Sequence, residues 1–361
     1  MKTRSAIPQR HIDFSIVIPT YNRCDLLKLS IASVLRQKGI TLEIIICDDS
    51  TINDTQRYIK SLKCKQIRYT KNKKRLGGSM NLQKCFLMAK GDYIFTLGDD
   101  DLILDEKSLY RILKVMKKYK VGMGKIGTIV YDKSINKPYQ TLIISNKILL
   151  LDPKREKHIL TGSIKFGIGF YSGLIFDNHL LKRKLLIMDH QCHANCTCRS
   201  YHDAAYDLII YHGIIYIPDL FIVGRLSLEQ IPLFFNLKLL GRHFMEEPIV
   251  RAGKFLFEDD YNHCKRHFLR QHVVLLPNVK YFTNISNYIQ IMIGMIRIDN
   301  SVLTNVAFYV YAFVGFMPNS VIEYLRKLKI YLTKASLCSQ LQKYQYLKNI
   351  TQIQQFSNQK V

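Results

Sequence analysis

The first 120 residues alternate short apolar runs, almost free of charge, with amphipathic segments. The apolar runs lie at Phe14–Ile18, Leu42–Cys47 and Tyr93–Leu97, and runs of this length and composition predict strands buried on both faces. A further short strand is predicted at Gln66–Tyr69, and helical periodicity predicts helices at Asp25–Gln37, Asn53–Leu62, Gly78–Ala89 and Lys107–Tyr119. This alternation predicts an α/β fold with a mostly parallel sheet covered by helices on both faces.

The pattern changes twice further along the chain. Residues 121–226 mix predicted strands (Lys125–Tyr131, Leu142–Leu151, Tyr171–Phe176, Ile214–Ile217) with two predicted helices (Asn178–Leu186, His202–Tyr211). Residues 227–361 form basic, aromatic-rich helical segments broken by prolines. At roughly 100–200 residues per domain, a chain of 361 residues has room for more than one structural unit.

The formal charge of +25 is unusually high. It favours a polyanionic partner, and nucleic acid, an anionic membrane and phosphorylated small molecules all qualify. From Cys264 to Val361 twelve Lys or Arg residues face only two acids, Asp299 and Glu323. The C-terminal region is therefore predicted to lie on an anionic membrane surface.

The sequence also gives an expectation about the compartment. The charged N-terminus is not followed by an apolar run, which argues against a signal peptide, and nine scattered cysteines suggest reduced thiols in a cytoplasm. The uncharged stretch Val302–Met317 is short for a membrane span, so we predict a helix lying in or near the interface.

Three polar clusters follow three of the predicted strands: Pro19–Asn22, Asp48-Asp49 and Asp99–Asp101. In a parallel α/β sheet, ligands bind beyond the carboxyl ends of the strands. Adjacent carboxylates repel one another unless a cation neutralises them, and Mg²⁺ or Mn²⁺ does so while leaving room for diphosphate oxygens. The alternative for the Asp triplet is a solvated turn that caps the next helix.

Two further segments are candidates for donor binding. Asp48 and Asp49 offer acceptors for a base imide or ribose hydroxyls, or instead cap the following helix. The basic residues between Lys71 and Arg75 precede Gly77-Gly78, where glycines allow close approach to a diphosphate. A solvated charge run is the alternative for this loop.

These motifs resemble family 2 glycosyltransferases. The strings are SIVIPTYNR (Ser15–Arg23), EIIICDDS (Glu43–Ser50), Asn81, and AKGDYIFTLGDDD (Ala89–Asp101). Family members are inverting enzymes of the GT-A fold, many of which build bacterial surface polysaccharide. By this resemblance, residues 1–120 are the nucleotide-sugar-binding half of a GT-A domain, 121–226 its acceptor-binding half, and 227–361 a helical, membrane-associating extension.

The resemblance also implies roles for individual residues. The implied metal ligands for Mn²⁺ or Mg²⁺ are Asp100 and Asp101, and the implied donor-binding residues are Pro19, Thr20, Tyr21, Asn22, Asp48, Asp49, Arg75, Asn81 and Asp99. One departure is that the commoner family pattern has Asp at the position of Gly98, which leaves Asp99 as an extra acid.

An inverting transfer needs a general base for the acceptor hydroxyl. In the family this base is often the Asp of a Glu-Asp pair with Gly some eleven residues later, and His202-Asp203 followed by Gly213 is similar. The resemblance thus implies Asp203 as the base, with Asp207 in reserve. An N-cap role for Asp203 is the alternative.

The resulting prediction is a cytoplasmic enzyme, peripherally bound to the inner face of the cell membrane. It would transfer sugar from a nucleotide diphosphate donor, UDP-sugar favoured, to a glycan or lipid-linked acceptor. A nucleotidyltransferase is one alternative, although Pro19–Arg23 lacks the glycine of a phosphate loop. A nucleic-acid-binding protein is the other, but no recognised motif accompanies the charge, so nucleic acid is not the expected partner.

Overall fold

The computed structural model describes residues 11–131, 138–142, 147–151, 171–188, most of 205–225, scattered positions between 266 and 280, 284–325 and 328. Within these residues ten strands form one sheet. They are β1 (Phe14–Thr20), β2 (Leu42–Asp48), β3 (Ile67–Lys71), β4 (Tyr93–Thr96), β5 (Leu102–Ile103), β6 (Met123–Tyr131), β7 (Pro138–Leu142), β8 (Leu149–Leu151), β9 (Leu174–Asp177) and β10 (Ile214–Arg225).

The main path of the sheet has the order β3-β2-β1-β4-β9-β6-β10-β5. Strands β3, β2, β1 and β4 are parallel to one another, as predicted. Strand β9 is antiparallel to both β4 and β6, β10 is parallel to β6, and β5 is antiparallel to β10. Only β9 and β5 therefore run against the common direction of this path, and the mixed, mostly parallel sheet is confirmed.

One predicted strand is wrong. The sequence suggested a single strand over Leu142–Leu151, but β7 pairs with β6 while β8 pairs with β10. Residues 147 and 148, directly before β8, do not belong to a strand. Apolar content alone cannot distinguish one long strand from two short strands with different neighbours.

The α-helices with both ends defined are α1 (Cys24–Leu35), α2 (Asp54–Leu62), α3 (Gly78–Met88), α4 (Ser108–Tyr119), α5 (Asn178–Met188), α6 (Ile285–Ile298) and α7 (Val306–Phe316). The sheet lies between two apolar layers, because successive side chains of a strand point to opposite faces. On β1, Ile16 packs with α1 and α4, whereas Val17 packs with α3 and α5. This packing fixes the carboxyl ends of β1, β2 and β4 side by side.

Helices α6 and α7 contribute to a third apolar cluster, in which Tyr288 and Phe308 are buried. The predicted helix over Val302–Met317 is interrupted, since a 3₁₀ helix at Asn300–Thr304 precedes α7. Asn305 separates them and caps α7 by accepting a hydrogen bond from the Ala307 N–H at 3.1 Å. Among the described residues no helix is long and apolar enough to cross a membrane.

Candidate functional site at the carboxyl edge of the sheet

The structure brings together the three polar segments that follow β1, β2 and β4. Thr20 lies opposite Asp48 in the parallel register of β1 and β2, and Pro19 lies opposite Cys47. The Thr20 hydroxyl donates a hydrogen bond to Asp99 Oδ2 at 2.8 Å. Residues far apart in sequence therefore share one edge of the sheet, as the strand pattern predicted.

Arg23 neutralises part of the acidic turn after β4. Its Nη1 donates to Asp99 Oδ1 at 3.2 Å and to Asp100 Oδ2 at 3.0 Å. Asp99 is almost completely buried, and this burial, followed by the neighbouring Asp100 charge, raises the pKa of Asp99 to about 6 although Arg23 and Thr20 oppose the rise. Two carboxylates of the turn thus share the Arg23 guanidinium.

Asp101 is held by contacts of a different kind. Its Oδ2 accepts a hydrogen bond from the Ser172 hydroxyl, whose oxygen also accepts the Gly98 N–H at 2.8 Å. The Asp101 carbonyl accepts from Ser30 Oγ at 2.6 Å. The backbone and the carboxylate of Asp101 are therefore both fixed by side chains from distant parts of the chain.

The space above Gly98 shows whether this turn suits a divalent cation. A Cβ built at Gly98 would lie 2.8 Å from Asp101 Oδ2 and 3.0 Å from Asp100 Oδ1. Oxygen atoms of both carboxylates thus converge on the same space, where the commoner family pattern has a side chain. Carboxylate oxygens that converge on one turn fit a hard cation such as Mg²⁺ or Mn²⁺.

A second acidic group does not belong to this site. His11, Asp13 and Asp92 bring three possible ligand atoms within 4.8 Å of one another. They precede β1 and β4, at the opposite edge of the sheet, and Lys117 Nζ already lies 3.0 Å from Asp13 Oδ1. An exposed group with its own lysine counter-charge is explained without a metal ion.

Asp48 makes hydrogen bonds inside the protein at the end of β2. Asp48 is fully buried, and its carboxylate accepts the Tyr69 hydroxyl at 2.6 Å and the Ser50 N–H at 2.8 Å. Burial, followed by the bond to Asp48, raises the pKa of Tyr69 well above its usual value. Each Asp48 oxygen therefore accepts a hydrogen bond from a protein group, and the donor-binding role of Asp48 stays a prediction.

Asp49 anchors the basic loop. Its Oδ2 accepts the Gly77 N–H at 2.8 Å, both oxygens accept the Leu76 N–H at 3.1 Å, and Oδ1 accepts from Asn72 Nδ2 at 2.6 Å. Asn81 is buried and joins the same network, because its Oδ1 accepts from Asn72 at 2.7 Å and its Nδ2 donates to the Cys47 carbonyl at 2.8 Å.

Tyr21 and Arg75 form a cation–π pair beside this loop, with the Arg75 guanidinium carbon 4.2 Å from the centre of the Tyr21 ring. Asn22 has a left-handed backbone with φ of 53° and accepts the Thr51 N–H at 3.0 Å, which joins the ends of β1 and β2. A Cβ at Gly77 would meet nothing within 4 Å. The backbone next to Arg75 is thus open to a ligand, as the glycine pair predicted.

Two aspartates, Asp203 and Asp207, are the candidates for the general base. Asp203 lies outside the described residues. Asp207 is buried and its Oδ2 lies 3.0 Å from Lys184 Nζ of α5. The other Asp207 oxygen, Oδ1, is buried and has no hydrogen-bond partner among the described residues. The role of Asp207 as the reserve base therefore stays a prediction.

Sequence reasoning missed four residues that organise the acidic turn: Arg23, Ser30, Lys125 and Ser172. Arg23 stood at the end of the first motif string and carried a recognisable signal, a cation next to the ligand edge. The others carried none, since a serine in a helix or turn and a lysine at the start of a strand are ordinary features of surfaces.

The comparisons with known proteins agree with this fold. The folds of Staphylococcus aureus TarS (residues 1–349, in complex with UDP-GlcNAc) and the Pyrobaculum calidifontis mannosyltransferase PcManGT (with GDP-Man and Mn²⁺) are similar. TarS has a TM-score of 0.60 at 15% identity, covering 88% of this chain and 92% of TarS. PcManGT has a TM-score of 0.51 at 12% identity, covering 89% of this chain and 88% of PcManGT. The fold is therefore that of the GT-A glycosyltransferases.

Residues 15–180 match the family Glycosyl transferase family 2. This match confirms the predicted resemblance to family 2 glycosyltransferases over the matched segment. The matched segment runs from β1 to the start of α5, and so extends past the motifs of the first 120 residues.

Curated relatives match over part of their length. The uncharacterized glycosyltransferase MG025 of Mycoplasma genitalium is 26% identical over 212 residues, which is 55% of this chain and 63% of the relative. The Campylobacter jejuni GalNAc(5)-diNAcBac-PP-undecaprenol beta-1,3-glucosyltransferase is 29% identical over 47% of this chain and 53% of its own length. The Escherichia coli UDP-Glc:alpha-D-GlcNAc-diphosphoundecaprenol beta-1,3-glucosyltransferase WfaP is 40% identical over 24% of this chain and 35% of its own length.

Proposed function

We propose that this protein is an inverting, metal-dependent glycosyltransferase. It moves a sugar from a UDP-sugar to a lipid-linked glycan in the synthesis of bacterial surface polysaccharide. The observation that carries the proposal is the convergence of Thr20, Arg23 and Asp99–Asp101 at the carboxyl edge of a family 2 domain. The family match disfavours both alternatives from the sequence, a nucleotidyltransferase and a nucleic-acid-binding protein.

In this proposal the first half of the domain, residues 1–120, binds the donor. The edges of β1 and β2 line the nucleoside site, where the 36% exposed ring of Tyr21 is available for stacking on a base. Arg75 and the open backbone at Gly77 lie beside it and are suited to diphosphate oxygens. The relatives and neighbours named for UDP or UDP-sugars support uridine as the base.

Asp100 and Asp101 are the proposed ligands of Mn²⁺ or Mg²⁺. When bound, such an ion would offset the negative charge of the diphosphate leaving group. Arg23 adds positive charge to the same turn, and Asp99 holds Arg23 and Thr20 in place. The complex of PcManGT with GDP-Man and Mn²⁺ supports a divalent ion in this fold.

The second half, residues 121–226, is proposed to bind the acceptor. Asp203 remains the proposed general base that accepts the proton of the acceptor hydroxyl. Asp207, whose Oδ2 is paired with Lys184, stays the reserve candidate.

The acceptor is proposed to be lipid-linked, because two of the relatives are named for undecaprenol-linked substrates. The basic region 227–361 would hold the enzyme on the cytoplasmic face of the cell membrane. In support, α7 has no charged residue and exposes an apolar stripe, with Val306 76% and Phe313 67% exposed. The other members of this α7 stripe are Tyr309, Val310 and Phe316.

Exposed apolar surface of this kind marks a binding face, and its spacing of three to four residues puts it on one side of the helix. Flotation with anionic phospholipid vesicles tests the assignment. Phe313→Ser should lower the bound fraction, whereas Leu87→Ser, at a 45% exposed leucine on α3, should leave it unchanged. Equal flotation of both variants and the wild type would contradict a role for the α7 stripe.

Calorimetry with free nucleotides tests the donor and metal assignments. UDP should bind more tightly than GDP in Mn²⁺, and EDTA or Asp100→Asn should weaken the binding at least tenfold. Tighter binding of GDP would overturn the choice of base. Binding of UDP that ignores both EDTA and the variant would overturn the metal assignment.

A further inference from the structure

Lys125 is a fully buried lysine that no step of the proposed transfer uses. It lies on β6, is 1% exposed, and its Nζ donates to the Ser172 carbonyl at 2.7 Å. Removing an ammonium group from water costs several kcal/mol unless a counter-charge and hydrogen bonds compensate. Burial lowers the pKa of Lys125 to about 7, and the charge of Asp101 opposes that fall. The lysine is thus electrostatically coupled to a proposed metal ligand.

Ser172 connects the lysine to the acidic turn. Its hydroxyl donates to Asp101 Oδ2 and accepts the Gly98 N–H, so the hydroxyl has both a fixed donor and a fixed acceptor. Its carbonyl is the acceptor for Lys125. One residue therefore contacts the backbone before the acidic turn, a carboxylate within it, and the buried cation.

The turn that carries Ser172 is rigidly attached to β4. Thr96 Oγ1 donates to the Tyr171 carbonyl at 2.6 Å and accepts the Leu174 N–H at 3.1 Å. Gly173 has φ of 79°, and a Cβ there would come within 2.6 Å of Ile126 Cγ1. Ser172 therefore has little freedom to move away from Asp101.

We propose that Ser172 and Lys125 are positioning residues for the Asp101 carboxylate. Ser172 holds one carboxylate oxygen in a single orientation, and Lys125 holds Ser172 through its backbone carbonyl. Groups that orient a metal ligand from behind typically contribute 10–100-fold to metal affinity. The inference rests on the proposed function, since it assigns Asp101 to a divalent cation.

Titration of the full chain with Mn²⁺, followed by calorimetry in the presence of UDP, tests this assignment. Ser172→Ala should weaken Mn²⁺ binding about 10–100-fold, while UDP affinity measured in EDTA stays unchanged. Ser172→Thr, which keeps the hydroxyl, should restore most of the loss. Lys125→Met should also weaken Mn²⁺ binding.

The matched control is Thr128→Val on the same strand. Thr128 is buried, and its hydroxyl has no hydrogen-bond partner among the described residues. This variant should bind Mn²⁺ like the wild type. Ser172→Ala with wild-type Mn²⁺ affinity would overturn the inference while leaving the proposed function intact. A wild-type protein that binds UDP without any effect of Mn²⁺ would overturn the metal assignment and the inference with it.

Discussion

Replacing Asp99 by Asn should make the metal-free protein more stable at alkaline pH. The Asp99 side chain is buried beside Asp100, and these two causes raise its pKa from 3.8 to about 6. An acid that binds its proton more tightly in the folded state stabilises the fold when protonated. This contribution is fully present below about pH 4 and is lost as the pH rises through about 6.

The size of the effect follows from the shift. A change of about two pKa units corresponds to roughly 3 kcal/mol of the free energy of unfolding. Asn stays neutral, keeps the size of Asp, and still offers an oxygen to Arg23. At pH 8 we therefore expect Asp99→Asn to be about 1–3 kcal/mol more stable than the wild type, and near pH 4.5 the difference should become small.

Urea unfolding in EDTA at the two pH values measures this difference. Asp25→Asn is the matched control, because the Asp25 side chain is 92% exposed and its removal should have little effect at either pH. A difference between Asp99→Asn and the wild type that is the same at pH 4.5 and pH 8 would refute the electrostatic reasoning. Lower stability of the variant at pH 8 would refute it as well.

Three other variants test separate parts of the site. Asp49→Ala removes the acceptor of the Leu76 and Gly77 N–H groups. Trypsin should then cleave the basic loop between Lys71 and Arg75 at least tenfold faster than in the wild type. An unchanged cleavage rate would contradict the anchoring role of Asp49. Gly98→Val introduces an apolar side chain against the Asp100 and Asp101 carboxylates. Calorimetry should then show at least tenfold weaker Mn²⁺-dependent UDP binding, and wild-type affinity would be the contrary result. Asp203→Asn should abolish the transfer of sugar from donor to acceptor. The matched variant Asp207→Asn should lower the free energy of unfolding but keep the turnover rate per folded molecule. Loss of turnover in Asp207→Asn and not in Asp203→Asn would make Asp207 the base instead.

The carboxyl edge of the sheet was predictable because strand ends leave a local signal. Apolar runs at Phe14–Ile18, Leu42–Cys47 and Tyr93–Leu97 each stop at a polar cluster, and parallel strands bring such ends together. The antiparallel β9 was less accessible to sequence reasoning. Its position between β4 and β6 depends on a connection across the sheet, which no local pattern encodes.

The internal contacts of the site could not be read from residue types. Asp49 was predicted as a donor-binding residue, and the structure adds that it accepts backbone N–H groups of a loop some 27 residues away. No residue type signals such a contact, because backbone donors are the same at every position. Ser172 reaches Asp101 across 71 residues of sequence. Lys125 begins a strand, where a lysine is usually exposed, and only the packing of β6 inside the sheet makes it buried.

Release of nucleotide diphosphate from a panel of UDP-, dTDP-, GDP- and CDP-sugars tests the central claim most directly. The panel is incubated with Mn²⁺, Mg²⁺ or EDTA, beside an Asp100→Asn/Asp101→Asn double variant and an undecaprenol-diphosphate-linked acceptor. We expect release from a UDP-sugar that requires the metal and is lost in the double variant. Release that persists in EDTA and in the double variant, or no release from any donor with the acceptor present, would contradict a metal-dependent glycosyltransferase.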